Sequence, residues 1–201
     1  IFLSHVFEEG GYRPDPSRVA AIVEVPRPRC LKDVRSFVGC VNYFRSWIPR
    51  LGALVKHLTE LTRKGVAFKW GAEQEKAFVA IKGLLAEATN LTYPDFSLPL
   101  LVYADSSCDH LGGMLAQEFP DGAGKKILKV LAWASRSLRG KEAARSIPEK
   151  ECAAVLYCLR IWRPMLLYHF DVRIFSDSAA LCGLARVRDA STRIERFHLQ
   201  L

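Results

Sequence analysis

The chain has 201 residues, half of them hydrophobic, and its 29 basic against 21 acidic residues give a formal net charge of +8. That apolar content excludes a disordered polymer, and the length suffices for one large domain or a small one with an appendage. Charges interrupt every apolar stretch before the roughly 20 residues that span a bilayer, and no secretory leader opens the chain, so a soluble, intracellular protein with no membrane partner is expected.

Ile1-Phe2-Leu3 begins in mid-pattern without Met, and Phe197-His198-Leu199-Gln200-Leu201 stops inside an apparent helix, which reads as a piece of something longer. Residues 1 to 13 alternate weakly and turn at Gly10-Gly11, as a hairpin does. Pro14, Pro16, Pro26 and Pro28 bracket a short helix over Ser17 to Val23, because each Pro limits helix continuation at the residue before it. From Leu31 to Trp47, Val34, Phe37, Val38, Val41 and Phe44 fall at helical spacing, with Lys32, Arg35 and Arg45 on other faces. That pattern predicts an amphipathic helix with a basic side. Further helices are predicted over Leu51 to Arg63 and Ala72 to Leu85, so residues 1–90 read as a mostly helical module.

After Tyr93-Pro94-Asp95 the period changes from helical to alternating. Runs at 98–105, 112–119 and 127–135 read as three strands, joined by a turn at Gly112-Gly113 and a loop at Asp121-Gly122. A helix from Pro148 to Leu166, a fourth strand over 169–177 and a helix from about 178 complete the order βββαβα. This is an α/β mixed sheet whose fourth strand follows a helical crossover.

Two of these strands end on an acid, Asp105 and Asp177, and the intervening helix carries Glu151 above an apolar stripe of Val155, Cys158 and Trp162. Asp, Glu, Asp on strand, helix, strand suits two Mg²⁺ ions, with Mn²⁺ as a substitute. Hard divalent cations prefer carboxylate oxygens, and two ions about 3.5–4 Å apart can flank a scissile phosphate. Each acid has a plainer reading: Asp often starts a turn after a strand, and Glu favours a helix N-terminus. Glu149 is explained by a capping box with Ser146, and Asp109 by the turn after Asp105.

The positive excess favours a nucleic-acid partner without locating the surface. Lys32, Arg35 and Arg45 on the basic helix side, and Arg136 and Arg139 in the loop before Glu151, are the candidate phosphate contacts; a solvated basic loop explains the latter two equally well. The six cysteines form no C-x-x-C pair and match no zinc set, so reduced, mostly buried thiols are expected. The five histidines are scattered without a pairing pattern, and neither G-x-S-x-G nor a phosphate-binding P-loop motif occurs.

The segments RPDPSRVAAIVEVPRP, LKDVRSFVGCVNYFRSWIP, GVAFKWGAEQEKAF, YPDF, YADSSCDHLGGMLAQ, WASRSL and PEKECAAVLYCLRIWRPML resemble, in order, the polymerase polyprotein of gypsy-class LTR retrotransposons. The resemblance implies that residues 1–90 are the end of a reverse transcriptase, with its primer-grip hairpin and thumb-like helices. It implies an RNase H-like domain over 91–201, incomplete at its C-terminus, with Asp105, Glu151 and Asp177 as the metal-binding catalytic acids. It further implies hydrolysis of the RNA strand of RNA–DNA hybrids, contact with primer–template duplex and the rest of the reverse transcriptase, and residence in cytoplasmic virus-like particles or the nucleus. Ser4 stands where the family usually has Gly, and Ser178 where many gypsy-class elements have His. The polymerase motif Y-x-D-D is missing from these residues. A fourth acid is expected beyond Leu201, since Asp189 and Glu195 come too early to be it. The rival readings are a nucleic-acid-binding or structural remnant that has lost cleavage, and a connection domain, which would be expected to lose these acids.

Overall fold

A computed structural model describes residues 1–177 except 89, 123 and 168. The expected helix from 178, with Ser178, Cys182, Asp189 and Glu195, lies outside the described residues. The chain divides into two compact units at Tyr93/Pro94. No helix among the described residues is long and apolar enough to cross a membrane.

In the first unit, β1 (His5–Glu8) and β2 (Gly11–Pro14) form an antiparallel hairpin turning through Gly10, whose φ of 83° lies in the left-handed region that glycine adopts without cost. Ser4 also has a positive φ, 58°, and its carbonyl accepts from the Asp15 amide at 2.9 Å. The hairpin therefore forms with Ser where the family favours Gly. Asp15 caps α1 (Pro16–Val23), its carboxylate accepting from the Ser17 amide and hydroxyl.

Helix α2 (Leu31–Tyr43) ends earlier than its periodicity predicts. Phe44 and Trp47 stay buried because a 3-10 turn over Arg45–Trp47 carries them inward. Likewise α3 (Leu51–Glu60) stops before Arg63, its end tightening into i→i+3 bonds at Leu61, Thr62 and Arg63. Helix α4 (Ala72–Ala86) buries Ala77, Phe78, Ile81 and Leu85, with Phe78 4.7 Å from Phe37 of α2. A two-residue strand, β3 (Leu91–Thr92), then joins β2 antiparallel. That pairing sets the unit boundary at Tyr93/Pro94 rather than at residue 90.

The second unit opens with β4 (Leu100–Ser106), β5 (His110–Pro120) and β6 (Lys126–Ser137), a meander of antiparallel neighbours. Helix α5 (Ile147–Ile161) and the short α6 (Arg163–Leu166) cross over to β7 (Val172–Phe175), which pairs parallel with β4. The order is β6-β5-β4-β7, a mixed sheet. Leu100, Val102 and Ala104 of β4 and Leu111 and Leu115 of β5 pack with Ala153, Ala154, Val155 and Cys158 of α5. β7 is shorter than the expected 169–177, and the Asp171 carbonyl just before it still accepts from the Leu100 amide at 3.0 Å.

Gly112 and Gly113 lie inside β5, not at a turn. The β4–β5 connection is Ser107–Asp109, closed by the Ser107 amide donating to the His110 carbonyl at 2.9 Å. Gly113 is needed for space: a Cβ there would stand 2.6 Å from the Tyr103 carbonyl oxygen and nearer still to Cys158 Sγ. Gln117, wholly buried, is satisfied by the turn preceding β4. Its Nε2 donates to the carbonyls of Asp95 and Leu98, and its Oε1 accepts from the Asp95 amide.

Candidate active site

Asp105 sits near the C-terminal end of β4, opposite Gly112 of β5. Because side chains alternate along a strand, Leu100, Val102 and Ala104 face α5, while Tyr103 and Asp105 take the other face. There Tyr103 stacks on Phe175 of β7 with ring centroids 4.7 Å apart and planes 15° apart. The parallel ladder pairs Leu100 with Val172 and ends at Tyr103 with Phe175, a constant offset of 72. Carried two residues further, the same offset sets Asp105 level with Asp177, just past the end of β7. Both acids are exposed.

Glu151 lies in the N-terminal part of α5, half-buried, one turn above Val155. The helix start is fixed by Glu149, whose carboxylate accepts from the Ser146 amide and hydroxyl, both at 2.9 Å. Glu149 is thus occupied in capping and Glu151 is not. The register sets the two aspartates at one end of adjacent strands, and Glu151 stands on the helix of the crossover between them. Among the described residues no group of three or more His, Cys, Asp or Glu side chains is positioned to hold a metal ion. The donor chemistry does suit Mg²⁺ or Mn²⁺, since all three candidates are carboxylates.

Two features around these acids give no sign in the sequence. Arg136 makes a two-pronged ion pair with Glu142, at 2.8 and 2.9 Å, and lies 5.5 Å from the centre of the Tyr157 ring on α5. That guanidinium holds the Glu142 carboxyl down at about 2, and the Arg139 amide also donates to it. Arg136, near the end of β6 rather than in the loop, is therefore engaged by Glu142 of the segment that leads into α5, while Arg139 is exposed. The second feature is Lys150, buried beside Glu151, whose Nζ donates to the Cys108 carbonyl at 2.6 Å. A lysine between two glutamates reads as a solvated residue. In the first unit, Lys32 and Arg35 are exposed on α2, and Arg45 is exposed in the 3-10 turn beyond it.

The thiols are less buried than expected. Cys30, Cys40 and Cys108 are exposed, and only Cys152 and Cys158 of the described cysteines are buried, all five free. Helix α2 turns Cys30 and Cys40 away from its buried face of Val34, Phe37 and Val41, and Cys108 belongs to the β4–β5 connection. Burial pushes the Cys158 thiol up to about 12 and also raises that of Cys152.

A mixed sheet with a helical crossover, and an acid at the end of each of its two parallel strands, is the framework of an RNase H-like domain. Residues 70–172 match the family model described as "RNase H-like domain found in reverse transcriptase", and the chain belongs to that family. Its relatives are transposon polyproteins. The chain is 32% identical over its full length to the Retrovirus-related Pol polyprotein from transposon 412 of Drosophila melanogaster, of which it covers 16%. It is 28% identical over 98% of its length to that from transposon gypsy of the same organism, covering 19% of that protein. Transposon Tf2-3 polyprotein of Schizosaccharomyces pombe is 29% identical over 90% of the chain and is covered to 13%. The chain thus spans less than a fifth of these relatives.

The fold agrees. The foamy viral protease–reverse transcriptase in complex with RNA/DNA hybrid superposes with a TM-score of 0.72 at 23% identity, over 98% of this chain and 27% of that one. The same protein's complex with dsDNA gives 0.77 at 22% identity, over 100% and 42%.

Proposed function

We propose that this chain is the ribonuclease H part of a retrotransposon reverse transcriptase and hydrolyses the RNA strand of RNA–DNA hybrids. The observation that carries this reading is the shared register of Asp105 and Asp177 at the ends of neighbouring parallel strands, within a family of reverse-transcriptase RNase H-like domains. Asp105, Asp177 and Glu151 would hold two Mg²⁺ ions. Bound there, the ions would supply an activated water and stabilisation of the leaving oxygen. The protein's own part is to hold three carboxylates on a rigid sheet and helix. Gly113 leaves the room that lets α5, which carries Glu151, seat closely on the sheet.

The first unit is, on this reading, the primer-grip hairpin and thumb-like helices of the polymerase. Lys32, Arg35 and Arg45 there, with Arg139 in the second unit, would contact the phosphates of hybrid or primer–template duplex. Arg136 serves the nuclease indirectly, by bracing the loop ahead of α5 through Glu142. The rest of the reverse transcriptase would be the protein partner, within virus-like particles in the cytoplasm or in the nucleus.

The test is Asp105→Asn, nearly isosteric, assayed on a labelled hybrid in Mg²⁺. Cleavage should fall by several kcal/mol of transition-state stabilisation, roughly 100-fold or more, while the melting temperature stays put. Turnover by Asp105→Asn equal to the parent's would eliminate the assignment. One observation favours a second reading, a nucleic-acid-binding remnant without cleavage: the described acids do not gather into a threefold metal site. A parent protein that binds hybrid yet leaves it intact in Mg²⁺ and Mn²⁺ would decide for that reading.

A further inference from the structure

Lys150 is only 8% exposed, unusual for a residue with a full charge. Burying an ammonium is costly unless a partner compensates it. Its partner is a backbone carbonyl, that of Cys108, 2.6 Å from Nζ and 42 residues earlier in the chain. The two ends of this bond are informative. Lys150 adjoins Glu151 on α5, and Cys108 lies three residues beyond Asp105 on the β4–β5 connection.

The connection is fixed on its other sides as well. The Leu138 amide, at the end of β6, donates to the Asp109 carbonyl at 2.7 Å. The His110 amide donates to the Ser107 hydroxyl at 3.1 Å, and the His110 ring pairs with Asp109 at 2.5 Å. The Cys108 carbonyl is thus a fixed anchor, and Lys150 ties the first turns of α5 to it.

We propose that Lys150 is a positioning residue, a cross-brace that sets the distance between Glu151 and Asp105. The two carboxylates stand on different elements, a helix and a strand, and no hydrogen bond joins them directly among those described. Further along, the apolar face of α5 from Ala153 onward packs on the sheet, so the Lys150 bond adds a polar tie to the β4–β5 connection at the helix start. The role rests on the nuclease reading given above, because only there must Glu151 and Asp105 share ions. Outer groups that orient metal ligands commonly change metal affinity by about 10-fold or more when removed.

The experiment compares Lys150→Met, which keeps the aliphatic stem, and Lys150→Arg, which keeps a donor, with the parent chain. Two readouts are taken: the Mg²⁺ concentration giving half-maximal hybrid cleavage, and direct Mn²⁺ binding followed by water-proton relaxation without substrate. Thermal melting of each variant is recorded alongside. Lys150→Met should raise both metal midpoints about 10-fold, with the cleavage rate at saturating Mg²⁺ within about 2-fold of the parent, and Lys150→Arg should recover most of the loss. Metal midpoints unchanged in a folded Lys150→Met would overturn the proposal. So would a Lys150→Met that merely melts early, with Lys150→Arg folding normally and still binding Mn²⁺ as weakly as the Met variant. If the parent binds Mn²⁺ but cleaves nothing, the nuclease reading fails while the Mn²⁺ midpoints still decide the brace. If the parent neither binds Mn²⁺ nor cleaves, both fall.

Discussion

Adding one methyl group at Gly113 tests whether the close seat of α5 is as tight as the geometry says. The Cβ of Gly113→Ala would lie 2.6 Å from the Tyr103 carbonyl oxygen, nearer still to Cys158 Sγ, and 3.4 Å from Trp162 Cη2. The carbonyl belongs to β4, inside the ladder that pairs Ala104 with Gly113, and cannot retreat without breaking strand pairing. The sulfur and the indole belong to the helix side, so α5 must move outward. Overpacking of this kind costs about 3 kcal/mol, because packed interiors have no spare volume into which the methyl could go. For a unit of this size that lowers the melting temperature by roughly 10 °C or more. Urea unfolding of parent, Gly113→Ala, Cys158→Ala and the double variant gives the coupling. Removing the sulfur relieves part of the clash, so the double variant should be more stable than the sum of the singles by about 1 kcal/mol or more. A Gly113→Ala protein within about 0.5 kcal/mol of the parent, with additive doubles, would refute the close-approach account and return Gly113 to an ordinary strand position.

Other outcomes follow from the same structure. Glu142 has its carboxyl held at about 2 by Arg136, below the usual 4.5, so its contribution to stability is complete above about 4.5 and disappears as pH falls toward 2. Glu142→Gln should therefore flatten the acid limb of a stability–pH curve relative to the parent, and parallel curves would show that the pair is idle. With iodoacetamide at neutral pH, Cys30, Cys40 and Cys108 should be alkylated in the native protein while Cys158 stays unmodified until denaturant is added; native labelling of Cys158, mapped by mass spectrometry, contradicts its burial. Replacing Lys32, Arg35 and Arg45 together by Ala should reduce the slope of log K against log salt for duplex binding by about 0.9 for each phosphate that is no longer neutralised. An unchanged slope would leave that surface merely solvated.

Much of the architecture is legible in the residues, and the failures have physical causes. The change of period at Tyr93-Pro94-Asp95 marks where strands begin, and Ser146, Pro148 and Glu149 mark the start of α5. Gly112-Gly113 misleads because a glycine pair usually signals a turn, whereas one of these two makes room for a helix that only tertiary structure brings near. Phe44 and Trp47 keep the helical spacing although α2 has ended, because a 3-10 turn buries them as well as another α-turn would. β3 has two residues, too few to show alternation. Asp105 and Asp177 can each be read as strand-terminal acids, but their common level depends on an inter-strand offset that no local pattern encodes. Lys150 is invisible for the same reason: its partner is a carbonyl, which any residue carries.

The parallel pairing of β4 with β7 has a consequence for how the molecule acquires its chemistry. β4, β5 and β6 follow one another through short connections and can pair from nearest neighbours outward. The β4–β7 ladder instead joins residues 72 apart, and the helical crossover must be in place before it can form. Loop-closure entropy makes such remote pairing the slow part of assembly. Among the described strands, the level arrangement of Asp105 and Asp177 is therefore expected to form after the meander. In a refolding experiment, competence to bind divalent cations should emerge with the slowest phase, after the meander has already gained its secondary structure.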